Sequence, residues 1–147
     1  MEQHYLGDRL AADKPAPVDW IWGAFFLVAR NKLDALSGKP LPDTFFLYYE
    51  DVQWCYELAR QGWTNYYYPA AQVVHHLSGS GGGGSEEDKY WDKIMPNERQ
   101  FLRIYKGNGY ALIYYLLASI FHFSLRTSPD RERGRRYWKM AFSGRYS

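Results

Sequence analysis

The run SGSGGGGS, Ser78 to Ser85, limits this chain more than any other feature. Glycine and serine have little side chain to pack and much backbone entropy to lose, so eight of them in a row behave as a tether, natural or engineered. Whatever core forms must therefore be built separately on either side. The chain has 147 residues, 46% of them hydrophobic, which suits one compact domain plus an appendage rather than two large domains. The division expected is a lead-in loop over 1–17, an α/β portion over 18–78, a Gly/Ser-rich linker over 79–85 and a helical region with a basic tail over 86–147.

Before the linker, residues 1–17 are polar and contain Pro15 and Pro17, as a loop would. VDWIWGAFFLVAR, Val18 to Arg30, is almost continuously apolar and predicts a strand buried on both faces of a sheet. Gly23 interrupts it. A glycine there weakens a strand unless another group must come close to the backbone, so it marks a bulge or the wall of a ligand site. NKLDALSGKPLPD has room for one or two helical turns, stopped by Gly38, Pro40 and Pro42. A helix is predicted over Glu50–Gln61, because Val52, Cys55, Leu58 and Ala59 recur at helical spacing and Gly62 stands where a left-handed cap belongs. WTNYYYPAAQVVHH then supplies short extended pieces broken at Pro69.

After the linker, EEDKYWDKIMPNERQFLRIYKG predicts a helix with a break near Pro96, and YALIYYLLASIFHFSL, Tyr110 to Leu125, a second and strongly apolar one. Its 16 residues fall short of the roughly 20 that span a bilayer. Arg126, Arg131, Arg133, Arg135 and Arg136 follow it. Residues 110–136 therefore suit either an interfacial helix on anionic lipid or a buried helix that completes a core. Charge is divided along the chain: residues 1–100 carry nine Lys and Arg against fourteen Asp and Glu, residues 101–147 nine against two. That excess comes without any nucleic-acid-binding motif, so no nucleic-acid partner is expected. The single Cys55 excludes an internal disulfide, and no basic-then-apolar leader is present, which favours a reducing, cytosolic setting.

Glu50 and Asp51 lie between the aromatic run FFLYY and the helix. Acids in a first helical turn are stabilised by free N–H groups and the helix dipole, by about 0.3–1 kcal/mol. The same position also suits a general base, provided it borders a pocket and points at a hydroxyl. Trp22 could stack on a sugar face or fill a core, and Tyr48, Tyr49, Trp63 and Tyr66 read mostly as core or rim residues.

Trp22-Gly23-Ala24, Phe45-Phe46 through Glu50-Asp51 and Cys55, Gly62-Trp63, Pro69-Ala70-Ala71 and Val74-His75-His76 occur in that order. Together they resemble the C-terminal half of family 2 glycosyltransferases, rhamnosyltransferase-like members in particular, over about residues 17–78. The resemblance implies an α/β fold, the C-terminal portion of a GT-A-like nucleotide-diphospho-sugar transferase followed by helices. It implies an inverting transfer of a sugar from a nucleotide-sugar donor to a glycan or lipid-linked acceptor in cell-surface polysaccharide synthesis, at a cytoplasmic location or the inner face of the cell membrane. Asp51 would be the general base, with its pKa lowered at the helix N-terminus, and Glu50 its orienting neighbour. Trp22, Gly23, Ala24 and Trp63 would line the substrate site. A divalent metal, Mg or Mn, would be met by His75 or His76, of which alternating strand geometry turns only one inward.

The match departs at Gln53, where the family has a third acid, and at Glu57, where it has a basic residue. The nucleotide-binding βαβ units and the Asp-x-Asp-like element of the family have no counterpart here, so the chain reads as the acceptor-side half. Such a half should expose sheet edges, form a homo-oligomer, and bind neither nucleotide sugar nor manganese by itself. The rival class is a non-catalytic, membrane-associated scaffolding module in which Glu50 and Asp51 only cap a helix.

Overall fold

The computed structural model describes residues 13–33, 42–45, 47–74, 90–125 and 127–143. The chain divides into two compact units, Met1–Gly83 and Gly84–Ser147. Among the described residues, helix predominates and the sheet content is one antiparallel pair of three-residue strands.

In the first unit, strand β1 (Ala16–Val18) pairs with strand β2 (Asn65–Tyr67), with Pro17 opposite Tyr66. Pro17 has no N–H to give, which fits a strand at a sheet edge. A 3-10 turn covers Gly23–Phe25, a single helical turn, α1, covers Arg30–Leu33, and helix α2 runs over Glu50–Arg60. The twice-buried strand expected over Val18–Arg30 is therefore corrected. Trp20, Trp22, Phe25 and Leu27 are exposed, and the segment leaves the sheet after Val18 because its further amides are met by side chains of α2 rather than by flanking strands.

Helix α2 ends as its sequence predicts. Gly62, at φ +87°, donates its N–H to Ala59 O, and Trp63 N–H reaches back to Leu58 O. This pair of reversed bonds satisfies two of the last carbonyls and needs a left-handed residue between them, which glycine supplies without steric cost.

In the second unit a π-helical turn, Tyr90–Ile94, leads into α3 (Met95–Tyr105), followed by α4 (Asn108–Ser124) and α5 (Ser128–Phe142). The break near Pro96 appears as this π-to-α junction, with proline in the first turn of α3, where no N–H is missed. Helices α4 and α5 run antiparallel. The ring of Tyr115 lies beside that of Tyr137, Ser119 Oγ donates to Gly134 O at 2.8 Å, and His122 meets Asp130 at 3.4 Å. Trp91, Met95, Tyr115 and Ala141 form the buried centre, flanked by Leu102, Leu116, Tyr137 and Met140. The helix α5 lies within what reads from sequence as a basic tail. Its start is built by Thr127, whose hydroxyl accepts the Asp130 N–H at 3.2 Å.

Candidate functional site

An α-helix turns once in about 3.6 residues, so positions four apart lie nearly above one another. Asp51 and Cys55 are one turn apart on α2, a rise of about 6 Å, and two residues of extended chain advance by about 6.6 Å. The alternate amides of the segment entering the 3-10 turn therefore meet successive turns of the helix. Gly23 N–H donates to Asp51 Oδ2 at 2.9 Å, and Ile21 N–H donates to Cys55 Sγ at 3.3 Å. Asn65 closes the arrangement from β2, its Nδ2 donating to Asp19 O at 3.0 Å and Cys55 O at 3.2 Å. Side chains thus take the place of a neighbouring strand.

Asp51 is only 8% exposed. Its other oxygen, Oδ1, accepts the Val52 N–H at 2.8 Å. Both oxygens of the carboxylate are thereby engaged by backbone donors at the positive end of α2. Glu50 differs. Its Oε2 is buried and has no hydrogen-bond partner among the described residues. Burial pushes the Glu50 carboxyl above its ordinary range; a hydrogen bond from its own backbone opposes the rise, and the charge of Asp51 adds to it. A carboxylate at a helix N-terminus is expected to be lowered, but for Glu50 lost solvation is the largest influence.

The chain enters α2 through two consecutive tyrosines in left-handed conformation, Tyr48 at φ 68° and Tyr49 at φ 76°. For residues with a Cβ this costs about 1–2 kcal/mol each. Tyr49 caps the helix without a side-chain bond, its carbonyl accepting the Gln53 N–H at 2.9 Å. Such strain persists where the surrounding structure over-determines the backbone.

Of the residues singled out from sequence, the structure joins Asp51 to Gly23 and, through the chain, to Trp22 and Ala24, all three exposed. The close approach expected at Gly23 is made by Asp51 itself. A Cβ at Gly23 would lie 3.6 Å from Asp51 Cβ, an ordinary contact, so crowding alone does not demand glycine. Trp63 is not part of this cluster. It lies with Lys32, whose Nζ stands 3.5 Å from the ring centroid, on an open groove of about 250 Å³ that Ile21, Phe26, Leu58 and Asn65 also line and that neither Glu50 nor Asp51 reaches. His75 and His76 lie outside the described residues. Among the described residues no three His, Cys, Asp or Glu side chains converge to hold a metal ion.

Three participants escaped the sequence reading. Cys55 acts as an acceptor, a role its i+4 relation to Asp51 could have suggested, and burial pushes its thiol up to about 11. Gln53 donates to Thr44 Oγ1 and to Glu57 Oε1, both at 3.2 Å. Asn65 gave no signal, because its partners are distant in sequence.

Comparison with protein-family profiles, with curated proteins and with solved structures finds no match to this chain.

Proposed function

We propose that the first unit is the acceptor-side catalytic part of an inverting glycosyltransferase. The observation that carries this reading is the hydrogen bond between Gly23 and Asp51, because it brings together the Trp-Gly-Ala and Glu-Asp elements, which lie 28 residues apart and carry the resemblance. In this role Asp51 takes the acceptor hydroxyl's proton as the oxygen attacks the donor's anomeric carbon and the nucleotide diphosphate departs. Its two backbone donors fix its direction, and in the transition state the hydroxyl turns acidic as the new bond forms. Glu50, its neighbour in the first turn, orients Asp51 or the acceptor hydroxyl. The donor's diphosphate and any divalent metal are left to residues beyond the described set.

The test is sugar transfer from nucleotide-sugar donors by the protein with its natural flanking sequence, wild type against Asp51→Asn. Turnover should fall by about 10²–10⁴-fold, the usual worth of a positioned base, with Glu50→Gln acting mainly on the acceptor's KM. The bonds of Asp51 to Gly23 and Val52 also favour a second reading, a non-catalytic module in which the carboxylate only clamps the fold. Lowered stability of Asp51→Asn with transfer intact, or no transfer by the wild type with any donor, would establish that reading instead.

A further inference from the structure

Helix α4 is most apolar on the side that it turns away from its own core. From Asn108 to Leu125 it contains no Asp, Glu, Lys or Arg. Its inward positions Ala111, Tyr115 and Ser119 are buried. The polar atoms there are matched, Ser119 by Gly134 O and Tyr115 by Glu98 at 3.3 Å. At 100° per residue, Ile113, Leu117, Ile120 and Phe121 share the opposite side, and they are 59%, 62%, 61% and 59% exposed. An ordinary surface helix is arranged the other way round.

The neighbouring edge of α5 supplies charge. Arg131, Arg135, Trp138, Lys139 and Phe142 fall on one helical stripe, and all are exposed. This edge joins α4 at a shallow groove of about 420 Å³ lined by Phe123, Arg135, Trp138 and Lys139, and Phe123 lies one turn beyond Ile120. The two acids of α5 are already engaged: Asp130 with Thr127 and, at 3.4 Å, with His122, and Glu132 with Arg135 and Arg136, both at 3.4 Å.

We propose that the outer face of α4 and this edge of α5 form a docking surface for an anionic lipid bilayer. Ile113, Leu117, Ile120 and Phe121 enter the acyl boundary, Trp138 sits at headgroup level, and Arg131, Arg135 and Lys139 contact lipid phosphates. The helix lies in the interface rather than crossing it. Seventeen residues reach about 25 Å, less than the roughly 30 Å of a hydrocarbon core, and no described helix is long and apolar enough to cross a membrane. Charge decides between lipid and a second copy of the chain. Two-fold pairing through this face would set the cations of α5 near their own copies, whereas anionic headgroups satisfy them. The surface belongs to the second unit, so the inference does not depend on sugar transfer.

The experiment is flotation of the full chain with vesicles of phosphatidylcholine alone and of phosphatidylcholine mixed with phosphatidylglycerol. Binding to the mixed vesicles, little to the neutral ones, and partial loss with added salt are expected. The double variant Leu117→Glu, Ile120→Glu, with outward side chains and an unchanged circular dichroism spectrum, should weaken binding by at least roughly tenfold. Arg135→Gln with Lys139→Gln should weaken it less and flatten its salt dependence. Absence of wild-type binding to phosphatidylglycerol vesicles would overturn the proposal. So would equal binding by the Glu variants, or light scattering showing that those variants merely split a wild-type oligomer.

Discussion

Glu50 and Asp51 are adjacent in sequence and opposite in environment. Asp51 is held through both oxygens by backbone N–H groups, while Glu50 keeps a buried oxygen without a partner among the described residues. The consequence is a pH dependence with a definite sign. The Glu50 carboxyl is raised in the folded chain, so the folded state holds that proton more tightly than the unfolded one. Glu50 therefore costs nothing below its unfolded pKa, and its penalty grows as pH rises through the interval up to the folded value. Glu50→Gln should leave stability unchanged at acid pH and raise it at neutral pH, as read by denaturant midpoints in the two buffers. An equal effect in both would remove the buried charge as its cause. At Cys55, whose thiol is pushed up to about 11, alkylation should be slow in the folded chain and become fast only in denaturant, because both burial and the scarcity of thiolate protect it.

Among the elements, α2 and α5 show two kinds of legibility. The limits of α2 were readable because its stop signal, Gly62, is local, and the observed bonds to Ala59 and Leu58 use it as expected. The start of α5 was equally local. Thr127-Ser128-Pro129-Asp130 is a capping sequence, and the abundance of arginine hid it behind a compositional description. Thr127→Ala removes the hydroxyl that accepts the Asp130 N–H and should destabilise the second unit by about 0.5–2 kcal/mol. A Thr127→Ser control should retain most of that stability in the same thermal scan. The strand over Val18–Arg30 failed for the opposite reason: a continuous apolar run says that a segment has a use for its side chains, not which backbone will pair with it. Here α2 offers Asp51 and Cys55 to Gly23 and Ile21 in place of a strand.

For the whole molecule, the described residues of each unit present a surface open to association. In the first unit the described sheet has only two strands, each with one neighbour, and unpaired strand edges promote association. In the second unit the exposed face is helical and rimmed with cations, which suits lipid. Light scattering of the chain in buffer is accordingly expected to report a dimer or larger species whose size is unchanged by Leu117→Glu, Ile120→Glu. A monomer at all accessible concentrations would mean that the β1 and β2 edges are covered.

By itself the sequence determined what depends on neighbours along the chain: the placement of α2 and α4, the glycine that ends α2, the position of both acids in a first turn, and the concentration of positive charge after residue 100. It also suggested that the Trp-Gly-Ala and Glu-Asp elements belong together, although the bond joining them is a contact across 28 residues. Only the tertiary structure decided which acid is satisfied and which is not, that Trp63 stands apart from both on its own groove, and that α4 turns its aliphatic side outward. Each of these depends on burial and on which distant backbone group arrives with a free hydrogen. Residue type and spacing constrain the first weakly and the second not at all.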